Sequence, residues 1–556
     1  MKGTLKARQK ELDRLYPRWE KKTIWEHFLD TVKRFPDQEF IAAQGRESYT
    51  YRQAKEESIK IAKGLLAEGV QPGEHIAVQM ENSPEQIFTA LAAAAVRAVK
   101  IPVNTALSAV ELKFILEQSE ADYLITDCQM KDSVPYERLK GIIFLPEPEG
   151  KADVPVTGWK AFLEAGTGAV LEETQKEPHG DEASDIIYTS GSTKAPKGVV
   201  LTHDMLMRSA FASCRNRGFE LGRRIYVPLP MFHVYGYVEG LLAAILVGGT
   251  VLLRRGKFLA GEALDFMEET RANDILSVPA QMMALVNELR ERPRTLSHLH
   301  AVYCSAAMCP SWIWPAIRET LGVSDVITGY GMTEVCGASM QTAPDDPDEI
   351  LQTRVGKLLP GGCSGFPQFD GHQLAYRVVD RKTQQDCRPG EIGELWCKGA
   401  VVTKGYFKRD QANRRVFTED GWFKTGDCGC FDENGYLIFA GRVDDMYKIN
   451  GENVSPQFLE EVLSQCDCIH TAAVTGVPDP KHGSVGAAFI QLYEDTRENR
   501  EKAEAYAKAH LAKFQVPKYF IYMKQEDWPR TASGKIQKFH LKEMARAAAE
   551  NGAGNR

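Results

Sequence analysis

The sequence predicts an α/β protein with a large N-terminal domain of doubly wound sheets, a small barrel-like subdomain, and a small α+β C-terminal domain. The chain has 556 residues, which is more than one hydrophobic core usually holds. From residue 50 onward, short apolar stretches alternate with helix-like stretches, a pattern typical of doubly wound sheets. Past residue 360 the stretches become short and are punctuated by glycine, which favours an antiparallel sheet or barrel.

The elements of the N-terminal part follow from local patterns. Thr23 stands three residues before Glu26 and begins a helix with a capping-box pattern. Residues 75–80 (HIAVQM) predict a strand, and the next helix is expected to begin near Ser83. Further strands are predicted at 122–127, 225–230 and 275–280, and further helices at 259–270 and 281–291.

The C-terminal elements form a second group. The predicted strands between 360 and 454 are QLAYRVVD, GELWCKG, GYLIFAGR and MYKINGENV. Beyond them we expect a helix at 456–465, strands near 472–476 and 486–493, a helix at 498–512 and a strand at 519–523. About 113 residues suffice for a small α+β domain. We therefore place the boundary between domains 1–442 and 443–556.

Composition excludes several classes of function. The net charge of −7 argues against a general nucleic-acid or anionic-membrane partner. The charged N-terminus is unlike a secretory signal, and the apolar run 240–253 is too short to span a bilayer. A cytoplasmic protein with reduced thiols is therefore expected. The CxC pairs Cys428/Cys430 and Cys466/Cys468 are interpreted as alternating strand residues rather than metal ligands.

The segment YTSGSTKAPKG (188–198) is rich in hydroxyls, glycines and lysines. It has two interpretations: a surface turn, or a phosphate-binding loop in which glycines allow close backbone approach and Lys197 supplies charge. It is not a Walker loop, because Lys197-Gly198 precedes an apolar run instead of Ser or Thr. The residues that would bind phosphate are Thr189, Ser190, Gly191, Ser192, Thr193, Lys197 and Gly198.

Three further segments carry candidate chemistry, and each has a plainer alternative. In GYGMTE (329–334), Tyr330 could stack on a base and Glu334 could hold Mg²⁺, or the segment could be a simple turn. In 421–456, Asp427 could accept ribose hydroxyls, or the segment could be a pair of hairpins. Lys535, in PRTASGKIQK, could contact a substrate or be an exposed lysine.

In this order and spacing the four segments resemble the adenylate-forming superfamily, which includes acyl-CoA synthetases, firefly luciferases and nonribosomal-peptide adenylation domains. The resemblance extends over residues 20–545. It implies catalytic roles for Lys535, Thr333, Glu334, His233 and Lys448, with Glu334 on Mg²⁺. On the nucleotide side it implies the phosphate loop together with Ser305, Ala306, Ala307, Gly329, Tyr330, Gly331, Met332, Asp427, Phe439 and Arg442.

The resemblance also implies a mobile C-terminal domain that turns about a hinge at Asp444 between two half-reactions. Gly451, Glu452 and Asn453 would then lie on the CoA side, and Val234, Tyr235 and Val335 would line the acyl pocket. We expect Gly329 and Gly331 to leave room beside Tyr330 for the acid. The segment CSAAMC (304–309) departs from the Gly-Gly-Ala type usual in the family.

The implied activity is an ATP-dependent acid–thiol ligase. It would activate a carboxylic acid as acyl-AMP with release of pyrophosphate, and then transfer the acyl group to CoA. A medium- or long-chain fatty acid or an aryl acid is expected rather than acetate, because no Trp in 329–334 narrows the pocket. The alternatives are an enzyme that loads a carrier-protein thiol, a kinase-type phosphotransferase and a silent nucleotide-binding scaffold; a monomer and a dimer both remain open.

Overall fold

The computed structural model describes residues 4–128, 138–145, 155–172, 179–189, 196–307, 309–450, 452–530 and 536–550. For residues 452, 453 and 550 it describes the backbone alone. Of the predicted site residues, Ser190, Gly191, Ser192, Thr193, Gly451 and Lys535, and the side chains of Glu452 and Asn453, therefore lie outside the described part.

Helices occur along the whole described chain. Their bounds are α1 (Leu5–Leu15), α2 (Ile24–Arg34), α3 (Tyr51–Ala67), α4 (Pro84–Ala95), α5 (Ala109–Gln118), α6 (Trp159–Ala165), α7 (His203–Asn216), α8 (Val234–Gly236), α9 (Ala243–Leu246), α10 (Ala260–Glu269), α11 (Pro279–Glu291), α12 (Ile313–Leu321), α13 (Asp348–Thr353), α14 (Asp410–Val416), α15 (Pro456–Ser464), α16 (Arg497–His510) and α17 (Lys538–Glu550). A π-helical stretch, Tyr237–Leu242, joins α8 to α9.

The strands are short. Their bounds are β1 (Glu39–Ala43), β2 (Tyr49–Thr50), β3 (His75–Gln79), β4 (Val99–Pro102), β5 (Tyr123–Thr126), β6 (Gly141–Phe144), β7 (Val156–Gly158), β8 (Ala183–Thr189), β9 (Lys197–Thr202), β10 (Arg224–Tyr226), β11 (Thr250–Leu253), β12 (Asp274–Ser277), β13 (Ala301–Cys304), β14 (Asp325–Ile327), β15 (Gly329–Met332), β16 (Gly337–Gln341), β17 (Lys357–Leu358), β18 (Leu374–Val379), β19 (Gly393–Gly399), β20 (Phe423–Phe431), β21 (Leu437–Arg442), β22 (Tyr447–Ile449), β23 (Glu452–Val454), β24 (Ile469–Asp479), β25 (Gly483–Leu492) and β26 (Tyr519–Tyr522).

Most predicted elements are confirmed, with differences at their ends. The helix at Thr23 has the predicted capping box, in which the Thr23 amide donates to Glu26 Oε2 at 2.7 Å. The predicted strand 225–230 ends at Tyr226, because the prolines at 228 and 230 have no N–H for a ladder. Cys428 and Cys430 alternate on β20, but Cys466 and Cys468 lie in the turn before β24 rather than on a strand.

Two seven-stranded sheets form the large N-terminal part. Their strand orders are β14-β13-β12-β10-β11-β1-β2 and β7-β6-β5-β3-β4-β8-β9. Pairing is parallel except for the edge pairs β1/β2 and β8/β9. Parallel neighbours need crossover connections, and the helices that supply them cover the sheets.

Helices cover both faces of each sheet, which is the reason that the strands read as continuous apolar runs. The two sheets share one core cluster, to which α4 and α7 each contribute buried side chains. Ile225 and Val227 face this cluster, whereas Tyr226 between them faces a second cluster with α10, α11 and α12. This alternation confirms the doubly wound α/β class.

The later strands pair differently. β18, β19, β20 and β21 form one antiparallel sheet, and β15, β16 and β17 form another. From Tyr447 onward, β24, β25 and β26 form a sheet that packs with α15, α16 and α17 around two clusters of their own.

Two sequence expectations concern the whole chain. Among the described residues, no helix has both the length and the apolar character needed to cross a bilayer. All twelve cysteines are described, and each of them is a free thiol.

Candidate active site

A first group of predicted residues meets where β15 contacts the sheet of β20 and β21. The Tyr330 hydroxyl donates to Asp427 Oδ2 at 2.7 Å, and Arg442 Nε lies 3.1 Å from Asp427 Oδ1. Asp427 and Arg442 are direct partners across the β20–β21 ladder. Phe439 lies three positions before Arg442 on β21, and its ring centroid is 5.5 Å from that of Tyr330.

This group is suited to a nucleoside. Burial and the neighbouring Asp427 charge raise the pKa of Tyr330 well above its usual value, so the phenol remains a donor. The Asp427 carboxylate accepts the Tyr330 hydroxyl and pairs with Arg442; an ionised carboxylate is an acceptor only, which is the type of group that ribose hydroxyls donate to. Phe439 and Tyr330 supply the flat apolar surface that a base needs.

Glu334 lies in a short 3₁₀ turn, Thr333–Val335, between β15 and β16. It is 7% exposed, and its Oε1 accepts the hydroxyl of Tyr406 at 2.8 Å. Its backbone carbonyl accepts the amide of Thr403 at 2.7 Å. Burial raises the pKa of Glu334, and the hydrogen bond from Tyr406 opposes that shift.

The two ends of the predicted phosphate loop are the paired strands β8 and β9, with Thr189 opposite Lys197. The Lys197 ammonium lies 5.0 Å from the centroid of the Tyr406 ring. Gly198 differs from expectation, because it lies within β9 rather than in the turn. A Cβ there would come 2.6 Å from Ile186 Cγ2, so close packing between the two strands requires glycine at this position.

Gly329 and Gly331 pack closely against β16. A Cβ at Gly331 would lie 1.9 Å from the carbonyl oxygen of Gly337, and one at Gly329 would lie 2.6 Å from that of Met340. A side chain at either position would therefore clash with the backbone of β16, although Gly331 itself is exposed. Their role is to let β15 and β16 approach at a point where the register shifts.

The segment Ser305–Ala307 follows β13 and reaches the same edge. Ser305 Oγ donates to the carbonyl of Gly329 at 2.8 Å, which ties the segment to the start of β15. Ala306 has φ +73°, a region that favours glycine, and both Ala306 and Ala307 are exposed. The expected adenine-side segment is thus held beside Tyr330 through its neighbour Gly329.

The predicted acyl-side residues divide into two groups. His233 precedes α8, and its ring lies 4.6 Å from that of Phe232. Tyr235 is partly exposed, and its hydroxyl donates to the carbonyls of Tyr303 and Ser277 at 2.8 and 3.1 Å. Val335, in contrast, is 0% exposed within the main core, so in this structure its side chain packs against core residues.

The predicted hinge and the residues after it lie at the surface. Asp444 and Lys448 are exposed, and Lys448 is opposite Asn453 in the β22–β23 pair. Lys542 of α17 donates to the Asp444 carbonyl and to Asp445 Oδ1, each at 2.8 Å. Ser455 Oγ donates to the carbonyl of Ala440 at 2.6 Å, and this bond crosses the predicted boundary.

Sequence reasoning missed Tyr406, which contacts both Lys197 and Glu334. Its local sequence, KGYF, has no pattern that distinguishes it from an ordinary core tyrosine. The residue becomes noticeable only when β9 and the 3₁₀ turn of Glu334 are seen on either side of it.

The chain matches two family models. Residues 28–407 match the model of the AMP-binding enzyme, and residues 459–535 match the model of the AMP-binding enzyme C-terminal domain. Among curated proteins, "Putative acyl-CoA synthetase YngI" of Bacillus subtilis (strain 168) is 31% identical over 545 residues, covering 94% of this chain and 96% of that protein.

Solved structures are similar over nearly the whole chain. The o-succinylbenzoate CoA synthetase (MenE) of Bacillus subtilis in complex with the acyl-adenylate intermediate OSB-AMP is 26% identical with a TM-score of 0.78, covering 94% of this chain and 99% of that one. The same enzyme in complex with ATP and magnesium ion gives a TM-score of 0.77 at 26% identity, with the same coverage.

Proposed function

Because this chain belongs to the AMP-binding enzyme family, we propose that it is an AMP-forming acid–CoA ligase acting through an acyl-AMP. It activates a carboxylic acid with ATP, releases pyrophosphate, and transfers the acyl group to the thiol of CoA. The relatives support this activity, since they are acyl-CoA and aryl-acid CoA ligases and one of them is seen with an acyl-adenylate.

One observation in this chain carries the proposal. Groups suited to each part of a nucleotide come from four stretches of chain, which are β9, β15 with the turn after it, β20 and β21, and they meet at one edge of the fold. Tyr330, Phe439, Asp427 and Arg442 would bind the nucleoside, and their mutual contacts are 2.7 to 5.5 Å. Lys197 and Glu334 both contact Tyr406 and would bind the polyphosphate and its cation.

In the first half-reaction, the negative charges of the carboxylate and of the phosphates have to be neutralised at a site that excludes water. A carboxylate attacks the α-phosphorus of ATP, which brings two anions together, and fixed cations aimed at the phosphoryl oxygens stabilise the transition state. In our proposal Lys197 and Lys535 supply two of these positive charges, and Thr333 donates to the α-phosphate. Holding the acid in line with the leaving pyrophosphate contributes a further proximity effect.

The donor set at Glu334 fits Mg²⁺. This cation prefers oxygen ligands and is commonly held by one or two carboxylates together with substrate phosphates. Glu334 offers a buried carboxylate whose Oε1 is held by Tyr406. Among the described residues, no second side chain donates to this carboxylate, so Oε2 is available to a cation. When bound, Mg²⁺ neutralises charge on the phosphate oxygens and on pyrophosphate.

The second half-reaction requires a different set of groups near the acyl carbon. We propose that residues 443–556 are a separate domain that turns about Asp444 and brings Lys448, Gly451, Glu452 and Asn453 to the CoA side. The separate core clusters from Tyr447 onward support this division. His233 would stand between the carboxylate and the path of the thiol.

We propose a medium- or long-chain fatty acid or an aryl acid as substrate. Tyr235 supports this choice, because its ring is partly exposed while its hydroxyl is tied to two carbonyls. It therefore presents a fixed aromatic surface next to His233 and Val234. Such a surface can pack against an alkyl chain or an aryl ring, and it makes few contacts with acetate.

A product assay over a panel of carboxylic acids tests the proposal. Purified protein with ATP, Mg²⁺ and each acid is expected to release pyrophosphate and AMP, with sustained turnover only when CoA is added. Release of ADP would instead show a kinase-type phosphotransferase. Acyl-AMP that forms but is transferred only to a carrier-protein thiol would favour the carrier-loading alternative, and no AMP with any acid would refute the proposal.

A further inference from the structure

Tyr406 lies between two groups of opposite charge in the candidate site. Its hydroxyl donates to Glu334 Oε1 at 2.8 Å, and the Lys197 ammonium lies 5.0 Å from the centroid of its ring. The side chain is 6% exposed. Among the described residues there is no direct ion pair between Lys197 and Glu334, so the two charges meet the same tyrosine without meeting each other.

The backbone on both sides of Tyr406 is fixed. Tyr406 forms an isolated bridge with Val199 of β9, and the next residue, Phe407, donates its amide to the Gly198 carbonyl at 2.8 Å. Asn413 holds the other side, because its Oδ1 accepts the Tyr406 amide at 2.8 Å and its Nδ2 donates to the Tyr406 carbonyl at 2.9 Å. The position of the ring is therefore set by β9 and by Asn413 of α14.

A second contact ties the same segment to Glu334. Thr403 donates its amide to the Glu334 carbonyl at 2.7 Å and its hydroxyl to the Val200 carbonyl at 2.7 Å. Residues 403–407 therefore connect the strand that carries Lys197 with the turn that carries Glu334.

We propose that Tyr406 is a positioning residue for both charged groups of the nucleotide site: its hydroxyl orients the Glu334 carboxylate for Mg²⁺, and its ring orients Lys197 toward the polyphosphate. The inference rests on the roles that the proposed function gives to Glu334 and Lys197. In this proposal Tyr406 contacts neither the carboxylate of the acid nor the α-phosphorus of ATP. It acts through Glu334 and Lys197.

The physical reason lies in the competition between the two charges. If Lys197 and Glu334 were free to approach each other, they would form an ion pair. That pair would occupy the carboxylate oxygen that is needed to bind the cation, and also the ammonium that is needed to bind phosphate. The ring attracts the ammonium to its face, while the hydroxyl at its edge holds the carboxylate. Groups that orient a metal ligand in this way typically change metal affinity 10- to 100-fold when they are removed.

Two substitutions separate the two roles. Tyr406→Phe keeps the ring and removes the hydroxyl, so the free Mg²⁺ concentration for half-maximal ATP binding is expected to rise about 10- to 100-fold. ATP affinity at saturating Mg²⁺ is expected to change little. Tyr406→Leu removes both, and it is expected to add a loss of about two- to five-fold in ATP affinity at saturating Mg²⁺. Calorimetric titration with ATP, without acid or CoA, measures both quantities.

The chain provides a matched control at Tyr436. Its hydroxyl donates to Asp346 at 2.7 Å and the Lys357 ammonium lies 4.1 Å from its ring centroid, the same arrangement away from the site. Tyr436→Phe is expected to leave Mg²⁺ dependence unchanged. Equal Mg²⁺ dependence in Tyr406→Phe and Tyr436→Phe would overturn the proposal.

Two further measurements, the stability of the variants and the Mg²⁺ dependence of the wild-type protein, also test the proposal. Loss of folding in Tyr406→Phe while Tyr436→Phe stays folded, measured by urea denaturation, would show a structural role and would also overturn the proposal. A wild-type protein that binds ATP without any Mg²⁺ dependence would instead refute the roles assigned to Glu334 in the proposed function, which keeps the two failures distinct.

Discussion

Substitution of Gly331 by alanine tests whether glycine at this position is required by the contact between β15 and β16. The added Cβ would lie 1.9 Å from the Gly337 carbonyl oxygen and 2.7 Å from Ala338 Cα. Both neighbours belong to the backbone of β16, so no side chain can turn away to make room. Ordinary contact begins near 3.4 Å, so the strands would have to separate by about 1.5 Å.

The cost can be worked out from what that separation breaks. Overpacking against backbone costs about 1–3 kcal/mol. Each of the two ladder hydrogen bonds beside the clash contributes about 0.5–1.5 kcal/mol. We therefore expect Gly331→Ala to lower the free energy of unfolding by about 2–6 kcal/mol. It is also expected to abolish ATP binding, because Tyr330 lies on the displaced strand and Glu334 lies in the turn that follows it.

Urea denaturation measures the loss of stability, and calorimetric titration measures the loss of ATP binding. Alanine substitutions at two other glycines serve as comparisons. Gly329→Ala, with its nearest atom at 2.6 Å, is expected to cost less than Gly331→Ala. Gly168→Ala, whose Cβ would meet nothing within 4 Å, is expected to stay within about 0.5 kcal/mol of the wild type. A Gly331→Ala protein as stable as Gly168→Ala would refute the reasoning.

Three other predictions follow from separate parts of the molecule. Asp444→Pro fixes the backbone of the proposed hinge and is expected to slow thioester formation more than pyrophosphate release; equal loss of both would refute the hinge. Lys100→Met leaves the 0%-exposed Asp185 without its partner and is expected to cost about 3–5 kcal/mol in urea denaturation, whereas a small effect would show that water reaches Asp185. Burial lowers the pKa of His27 to about 3 and that of His203 to about 4. The unfolded chain therefore binds protons first as the pH falls below about 6.5, so stability should decline from there toward pH 4 by up to about 1.4 kcal/mol per histidine per pH unit; a flat profile in urea denaturation would contradict this.

The core of the fold shows how a local pattern translates into tertiary structure. The alanine-rich segment that begins after Ser83 predicts a buried helix followed by a strand, and α4 and β4 lie where the pattern places them. The prediction succeeds because burial, capping by Ser83 and the β-branched residues of β4 all act within a few residues of one another.

The sequence by itself determined the order of the main helices and strands and the doubly wound class, which depend on periodicity, capping and side-chain type, all local properties. The proposed set of nucleotide-binding residues came from the resemblance of four segments to the adenylate-forming superfamily. The sequence also identified Asp427, Arg442 and Tyr330 as candidates without giving their contacts.

Only the tertiary structure decided how those residues meet. The sequence around Gly329 and Gly331 does not indicate which strand they face, yet a Cβ at either position would meet the backbone of β16. Val335 reads as a pocket residue, yet it is part of the core, and Tyr406 gives no local signal although it joins Lys197 to Glu334. These outcomes depend on contacts between segments far apart in the chain, and a one-dimensional pattern contains no distances between such segments.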